Sequence, residues 1–232
     1  KENLSDEIAL SPSEAVKNSD LVLISTPLRS FESVINSIKD NLKPGSILTD
    51  TCSVKHGVNN IVKKINLKNS IWIPGHPVAG TENSGPRAGF SDLFQDRWTI
   101  ITPDKKIKDS DIKKIILFWE SMGSKVKIMS VDEHDKILSL TSHLPHAIAY
   151  NIVRTAMGDD EKTNNDIIRY SAGGLRDFTR IAASDPKMWK DIFIDNSSLI
   201  IDAIDKFSNS LNDFKKAITE KDSKKLLEIF EK

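Results

Sequence analysis

Asp20-Leu21-Val22-Leu23-Ile24-Ser25, stopped by Thr26-Pro27, is where the fold of this chain is decided. An apolar run with no polar residue alternating through it describes a strand buried on both faces, as in a parallel sheet covered by helices. Working outward, Phe31, Val34, Ile35 and Ile38 recur at helical spacing, Lys43-Pro44-Gly45 makes a turn, and Ser46 to Thr49 reads as a second strand. Val58, Ile61, Val62 and Ile65 mark a second amphipathic helix, and Ser70 to Ile73 a third strand. Trp98 to Thr102 and Lys125 to Met129 add two strands around a helix from Asp109 to Met122. Such alternation predicts a mostly parallel sheet with right-handed crossovers.

From Ser130 the pattern changes. Helical periodicity runs through Val131 to Met157, Asn164 to Ser171, Asp185 to Phe207 and Ser223 to Phe230, with no further strand. The reading is an α/β lobe over residues 1–129 and an all-α lobe over residues 130–232. Pro145 falls inside the first of these helices, where it removes the hydrogen bond to the Thr141 carbonyl and predicts a kink. His143 and His146, three residues apart, are expected on one side of that kink.

Lys+Arg and Asp+Glu both number 33, and the zero net charge argues against a general electrostatic grip on nucleic acid or an anionic membrane. The expected ligand is a small molecule. Cys52 is the single cysteine, so no intrachain disulfide can form, and none of the five histidines has zinc-type spacing with it. No metal site is expected, and a reducing cytoplasm fits. No apolar stretch approaches the roughly 18 residues of a membrane span, and Lys1 to Glu7 lacks the apolar core of a signal peptide.

Three loops of the α/β lobe hold polar residues among small or turn-forming ones. They are Ser25-Thr26-Pro27, Asp50-Thr51-Cys52-Ser53-Val54-Lys55, and Pro74-Gly75-His76-Pro77-Val78-Ala79-Gly80-Thr81-Glu82-Asn83-Ser84-Gly85. Chemistry concentrates in such loops, and open α/β sheets bind ligands beyond the carboxyl ends of their strands. The three are therefore expected to converge, with His76 projecting from the end of the third strand. The helical lobe adds His143, His146 and Gly173-Gly174-Leu175-Arg176-Asp177-Phe178-Thr179-Arg180, where two glycines allow close backbone approach and two arginines suit a carboxylate. Cys52 reads as a packing residue, and Trp189 as core with a pocket wall as its second reading. Arg176, His56 and His134 read as surface residues.

The strings DTCSVK, PGHPVAGTENSG, LTSHLPHAIAY and GGLRDFTRIAASDPKMW, in this order and at these separations, resemble prephenate dehydrogenase and its arogenate-using and dual-substrate relatives in tyrosine biosynthesis. The resemblance spans essentially the whole chain, and Asp132-Glu133-His134-Asp135 also resembles the family's entry into the helical lobe. It implies a Rossmann-like dinucleotide-binding lobe over residues 1–129, truncated at its start, and a helical dimerisation and substrate lobe over residues 130–232. The implied reaction is NAD(P)-dependent oxidative decarboxylation of prephenate to 4-hydroxyphenylpyruvate, with NAD favoured over NADP; arogenate to tyrosine is the alternative.

By the same resemblance His76 is the catalytic histidine that accepts the hydroxyl proton, and Ser53 hydrogen-bonds that hydroxyl or the histidine. Arg180 binds the ring carboxylate, for which a planar fork is better than a point charge. His146 lies by the side-chain carboxylate, and Lys55, Thr81, Glu82 and Asp177 match the rest of the pocket, Glu82 and Asp177 pairing with Arg180 as a gate. His143 has two readings: it orients His146, or it hydrogen-bonds the carbonyl released by Pro145. Cofactor contacts fall to Ser25, Thr26, Pro27, Arg29 and Thr51.

The sequence departs from the family in one respect. It contains no G-x-G-x-x-G, and Gly45 and Gly57 are the nearest glycines ahead of Gly75, so the first βαβ segment with its phosphate-cradling turn has no counterpart here. These 232 residues are expected to bind NAD(P) weakly. A β-hydroxyacid dehydrogenase also joins two such lobes but relies on a helix-borne lysine, and the HPVAGTE loop argues against it. A non-catalytic, tyrosine-sensing relative would show a broken site, whereas His76, Ser53, His146 and Arg180 are all present. Leu199, Ile200, Ala203, Ile204 and Phe207 form an apolar stripe beyond the needs of a private core, which predicts a homodimer with an isologous helical interface.

Overall fold

The computed structural model describes residues 5–67, 70–80, 85, 88–157 and 161–231. Strands β1 (Leu21–Ile24), β2 (Ile47–Asp50) and β3 (Ile71–Trp72) pair in parallel in that order. Their crossovers are α2 (Leu28–Ile38) and α3 (Lys55–Ile65), preceded by a short α1 (Pro12–Ala15). β2 is central and buried throughout, because its alternating side chains meet a core on each face. Ile47 packs with Ile73, Ile101, Ile115 and Trp119, while Leu48 packs with Phe31, Ile35, Ile38, Val58 and Val62. Helices α2 and α3 thus cover one face, and α4 (Asp109–Ser121), which carries Ile115 and Trp119, covers the other. Burial on both faces, read from Asp20 to Ser25, is more complete in β2 than in β1. Leu21 reaches the α4 side, but Leu23 does not join it and is 38% exposed.

The single, mostly parallel sheet expected from the alternation is corrected by the observed pairing. β4 (Gly75–Pro77), β5 (Trp98–Ile101) and β6 (Lys125–Ile128) form a separate sheet in which β4 runs antiparallel to β5 and β6 parallel to it. Pro74 follows β3 and has no N–H to donate to a ladder. The next N–H, that of Gly75, turns to the Asp50 carboxylate at 3.0 Å. Gly75 is required by closeness: a Cβ there would lie 2.9 Å from both the Asp50 carbonyl oxygen and Thr49 Oγ1. His76 therefore sits within a strand, opposite Ile100, and not on a loop.

In the helical lobe, α5 (Val131–Leu138) begins at Ser130, whose hydroxyl accepts the Glu133 N–H at 3.2 Å in an S-x-x-E cap. The continuous helix expected to Met157 is interrupted. Ser139–His143 form a π-turn, with the Leu144 N–H reaching back to the Ser139 carbonyl, before α6 (Leu144–Ala156) starts with Pro145 in its first turn. The missing proline N–H is accommodated by widening one turn, a form that π-bulges commonly take near functional sites. Then follow α7 (Glu161–Tyr170), α8 (Gly173–Ala182), α9 (Pro186–Asp195), α10 (Ser197–Thr219) and α11 (Ser223–Phe230). Gly173 and Gly174, read as allowing close backbone approach, form the first turn of α8. The helix expected over Asp185 to Phe207 divides at Asn196 and runs on to Thr219. The lobes are joined where Val54 packs against Trp189 and Ile192.

Candidate active site

A cleft of about 650 Å³ opens between the lobes. Thr51, Ser53 and His76 lie on one wall, His146, Arg180 and Trp189 on the other, with Arg97 beside them. That volume falls in the range of roughly 300–1,000 Å³ usual for small-ligand sites. His76 and Arg180, 104 positions apart in the numbering by subtraction of 76 from 180, thus line one cleft.

His76 is 7% exposed. Its Nδ1 lies 2.8 Å from Nε2 of His134, whose own Nδ1 lies 2.7 Å from Oδ1 of Asp135. Burial first, then the neighbouring His134, Lys55 and His143, holds the His76 imidazole well below its ordinary value, so the ring is neutral near pH 7. Burial also lowers His134, against the opposing pull of Asp135. For Asp135, burial pushes upward but is outweighed by the hydrogen bond from His134 and by the Lys55 and His56 backbone N–H groups, both at 2.9 Å. Those two N–H groups open α3, where a helix has donors without intrahelical partners.

Reading His134 as a surface residue is overturned, since neither it nor Asp135 has any exposure. A signal was present: with Leu138 they occupy the inward face of α5 at positions i, i+1 and i+4, where apolar residues would otherwise stand. Arg97 is a second addition from the structure, and Trp189, only 5% exposed, is both core and cleft wall.

Lys55, expected in the pocket, is fully buried beneath it. Its ammonium donates to Asp50 Oδ2 at 2.6 Å and to the Gly75 carbonyl. The same carboxylate accepts the Cys52 and Gly75 N–H groups, so the pair fastens the end of β2 to the start of β4, one residue before His76. Ser53 lines the cleft. Burial pushes the Cys52 thiol up to about 12, with Asp50 adding to it, which suits a packing residue.

His146 stacks on Trp189 with centroids 3.6 Å apart, and its Nδ1 donates to the Ser142 carbonyl at 2.8 Å. Burial lowers its pKa in spite of that bond. His143 lies behind the wall, edge-on to Trp189, with Nδ1 3.1 Å from Asn196 Nδ2. It bonds neither His146 nor the carbonyl released by Pro145, and burial, the largest influence, takes it down to about 4. Arg180 meets Asp177 at only 3.9 Å, with side chains 57% and 76% exposed. Arg176 is exposed. Thr81 and Glu82 lie outside the described residues, so the gate has one described acid.

Ser25, Thr26 and Pro27 follow the carboxyl end of β1, and Thr51 follows that of β2, its parallel neighbour. Thr26 Oγ1 is buried with no hydrogen-bond partner. An unpaired hydroxyl at adjacent strand ends, beside the cleft-lining Thr51, fits the amide and ribose of the reactive half of a nicotinamide dinucleotide. Arg29 is engaged elsewhere: its Nε donates to Asp191 on α9 at 2.7 Å, a tie between the lobes. Among the described residues, no group of three His, Cys, Asp or Glu could hold a metal ion.

Residues 1–128 match the family model described as prephenate dehydrogenase, nucleotide-binding domain, and residues 130–232 that of prephenate dehydrogenase, dimerization domain. A cyclohexadienyl dehydrogenase of Zymomonas mobilis is 42% identical over 228 residues, 98% of this chain and 78% of that one. A prephenate dehydrogenase of Bacillus subtilis is 28% identical, over 97% of this chain and 61% of its own length. The crystal structure of prephenate dehydrogenase from Aquifex aeolicus with hydroxyphenyl propionate and NAD+ superposes with a TM-score of 0.84 at 34% identity, covering 96% of this chain and 77% of that one.

Proposed function

The chain belongs to the prephenate dehydrogenase family, and from that premise we propose that it oxidatively decarboxylates prephenate to 4-hydroxyphenylpyruvate, with arogenate to tyrosine as the second substrate of a dual-specificity site. The observation that carries this reading is a neutral, buried histidine, His76, sharing a cleft of small-molecule size with Arg180. A neutral imidazole can take the proton of the substrate hydroxyl, and Ser53 on the same wall steadies that hydroxyl. Arg180 holds the ring carboxylate as a planar fork, with Asp177 loosely paired beside it, and His146 and Arg97 line the region for the side-chain carboxylate. As the hydroxyl proton passes to His76 and hydride leaves the carbon that bears the hydroxyl, carbon dioxide departs, its bonding electrons complete the aromatic ring, and the proton returns from His76 to the phenolate oxygen.

NAD(P), when bound, supplies the hydride acceptor. Ser25, Thr26, Pro27 and Thr51 would hold its reactive half; NAD is favoured over NADP, in keeping with the NAD+ complex of the Aquifex aeolicus relative. Residues 1–129 are the cofactor lobe and residues 130–232 the dimerisation and substrate lobe, in the cytoplasm. Among the described residues no helix is long and apolar enough to cross a membrane.

A homodimer through the helical lobe completes the proposal. The stripe read from sequence divides: Ile200 and Ala203 turn inward at 4% and 2% exposure, Leu199 is half-buried, and Ile204 and Phe207 stay open, joined farther along α10 by Leu211 and Ile218. Sedimentation should give twice the chain mass, and a monomer at high concentration would remove that part. Because these 232 residues are expected to bind NAD(P) weakly, the activity is tested by following reduced cofactor with prephenate or arogenate while NAD or NADP is raised to saturation. Prephenate with NAD should be the fastest pair; no reduction with any pair would end the reading.

A further inference from the structure

We propose that Asp135, acting through His134, sets which nitrogen of His76 carries the proton and so keeps Nε2 of His76 open as the base; His134 and Asp135 are positioning residues. The inference rests on the reading of His76 as base and deepens it. Each step follows from donor and acceptor inventory. An ionised carboxylate only accepts, so the 2.7 Å contact to Asp135 requires a proton on Nδ1 of His134. A neutral imidazole has one N–H, so Nε2 of His134 is then an acceptor. The 2.8 Å contact to it requires Nδ1 of His76 to donate, which leaves the lone pair on Nε2 of His76.

The burial and hydrogen bonds described above keep Asp135 ionised and both rings neutral near pH 7. His76 is faced by His134 and Asp135 from α5, His143 from the π-turn, and the Lys55–Asp50 pair from α3 and β2, with Arg180 across the cleft. Of these, the structure gives only His134 a hydrogen bond to the ring. The carboxylate is itself oriented from the far side by the Lys55 and His56 N–H groups, so the seating of α5 on α3 decides the state of a histidine on β4.

The test uses the tautomer directly. In the wild-type protein without substrate, imidazole 15N shifts near pH 7.5 should show His76 protonated at Nδ1 and bare at Nε2. Asp135→Asn, turned with its NH₂ to His134, keeps the His56 N–H bond through its amide oxygen and gives up the Lys55 N–H bond, because Oδ1 serves both Lys55 and His134; a donor in that position inverts both rings. The His76 shifts should exchange and kcat should fall about 10²–10⁴-fold, as a wrong tautomer costs in the Ser-His-Asp triad, with KM changed far less. His134→Gln offers an amide oxygen to Nδ1 of His76 and should retain the tautomer and most of kcat, whereas His134→Leu removes the acceptor and should lose both. A proton on Nε2 of wild-type His76, or a Leu variant that matches the Gln variant in shifts and turnover, overturns the proposal. Correct wild-type shifts with no turnover of prephenate or arogenate would instead overturn the assigned reaction and leave the tautomer device standing.

Discussion

On one wall of the cleft His76 is 7% exposed and held through His134 and Asp135 to the first N–H groups of α3; on the other, Arg180 has 57% of its side chain in solvent and meets Asp177 at only 3.9 Å. The first wall has its hydrogen bonds made before any ligand arrives. The second offers a cation whose neighbouring acid binds it weakly in water and can be displaced by a substrate carboxylate. A base must be oriented and neutral before reaction, whereas a binding group gains most when its partner is the ligand. The difference in construction therefore follows the division between proton transfer and recognition.

The comparison is broken most directly by His76→Asn, which removes the base and leaves the other wall intact. Turnover should fall about 10²–10⁴-fold while substrate affinity stays close to wild type. Equal losses in kcat and affinity would mean that His76 binds more than it catalyses.

Lys55→Met tests whether the first wall depends on its buried ion pair. It leaves the Asp50 carboxylate fully buried without its cation, and denaturant unfolding should show a loss of about 3–5 kcal/mol. A change under about 1 kcal/mol would show that the Asp50 N–H partners suffice. The buried histidines of both walls should also make the fold weaken in acid. A histidine with a lowered folded pKa binds its proton more readily in the unfolded chain, so its contribution is present above the ordinary value and is lost as pH falls below it. For His143 the window runs from 6.5 down to about 4, and His76 and His134 act in the same direction. Melting temperatures should drop across that window, less steeply in His143→Gln; a flat profile from pH 7 to pH 4.5 would contradict this.

Arg180→Ala sharpens the contrast from the other side. KM should rise by about one to two orders of magnitude, as loss of a charged hydrogen bond implies, with kcat and folding stability little changed. Arg180→Lys should recover only part of the affinity, because an ammonium lacks the fork. The smallest effect belongs to Arg29→Ala. The Arg29 partner of this inter-lobe tie is 65% exposed, so unfolding should shift by no more than about 1 kcal/mol; a larger loss would show that the lobes are held there and not at Val54, Trp189 and Ile192.

What could be read directly from the amino acids was whatever depends on near neighbours. Apolar runs and 3.6-residue spacing marked β1, β2, α2, α3 and α4, because an element buries a face in a pattern that its own residues spell out. Motif strings brought His76, Ser53, His146 and Arg180 forward, and all four line the cleft. The roles of Lys55 and His134 were not legible in this way. A buried lysine and a surface lysine look alike in a string: the Lys55 ammonium meets Asp50 only 5 positions away, but it is the Gly75 carbonyl, 20 positions on, that closes over it, and His134 lies 58 positions from His76.

Sequence periodicity alone determined β1, α2, β2, α3, β3, β5, α4 and β6 in their order and the change from an α/β to a helical lobe. Only the tertiary structure decided that Gly75 turns away from β3 to begin a second sheet, and that α5 delivers a carboxylate to the start of α3 and an imidazole to His76. Hydrogen bonds between distant polar groups depend on where packing places them, and that placement is settled by the buried faces of every element together.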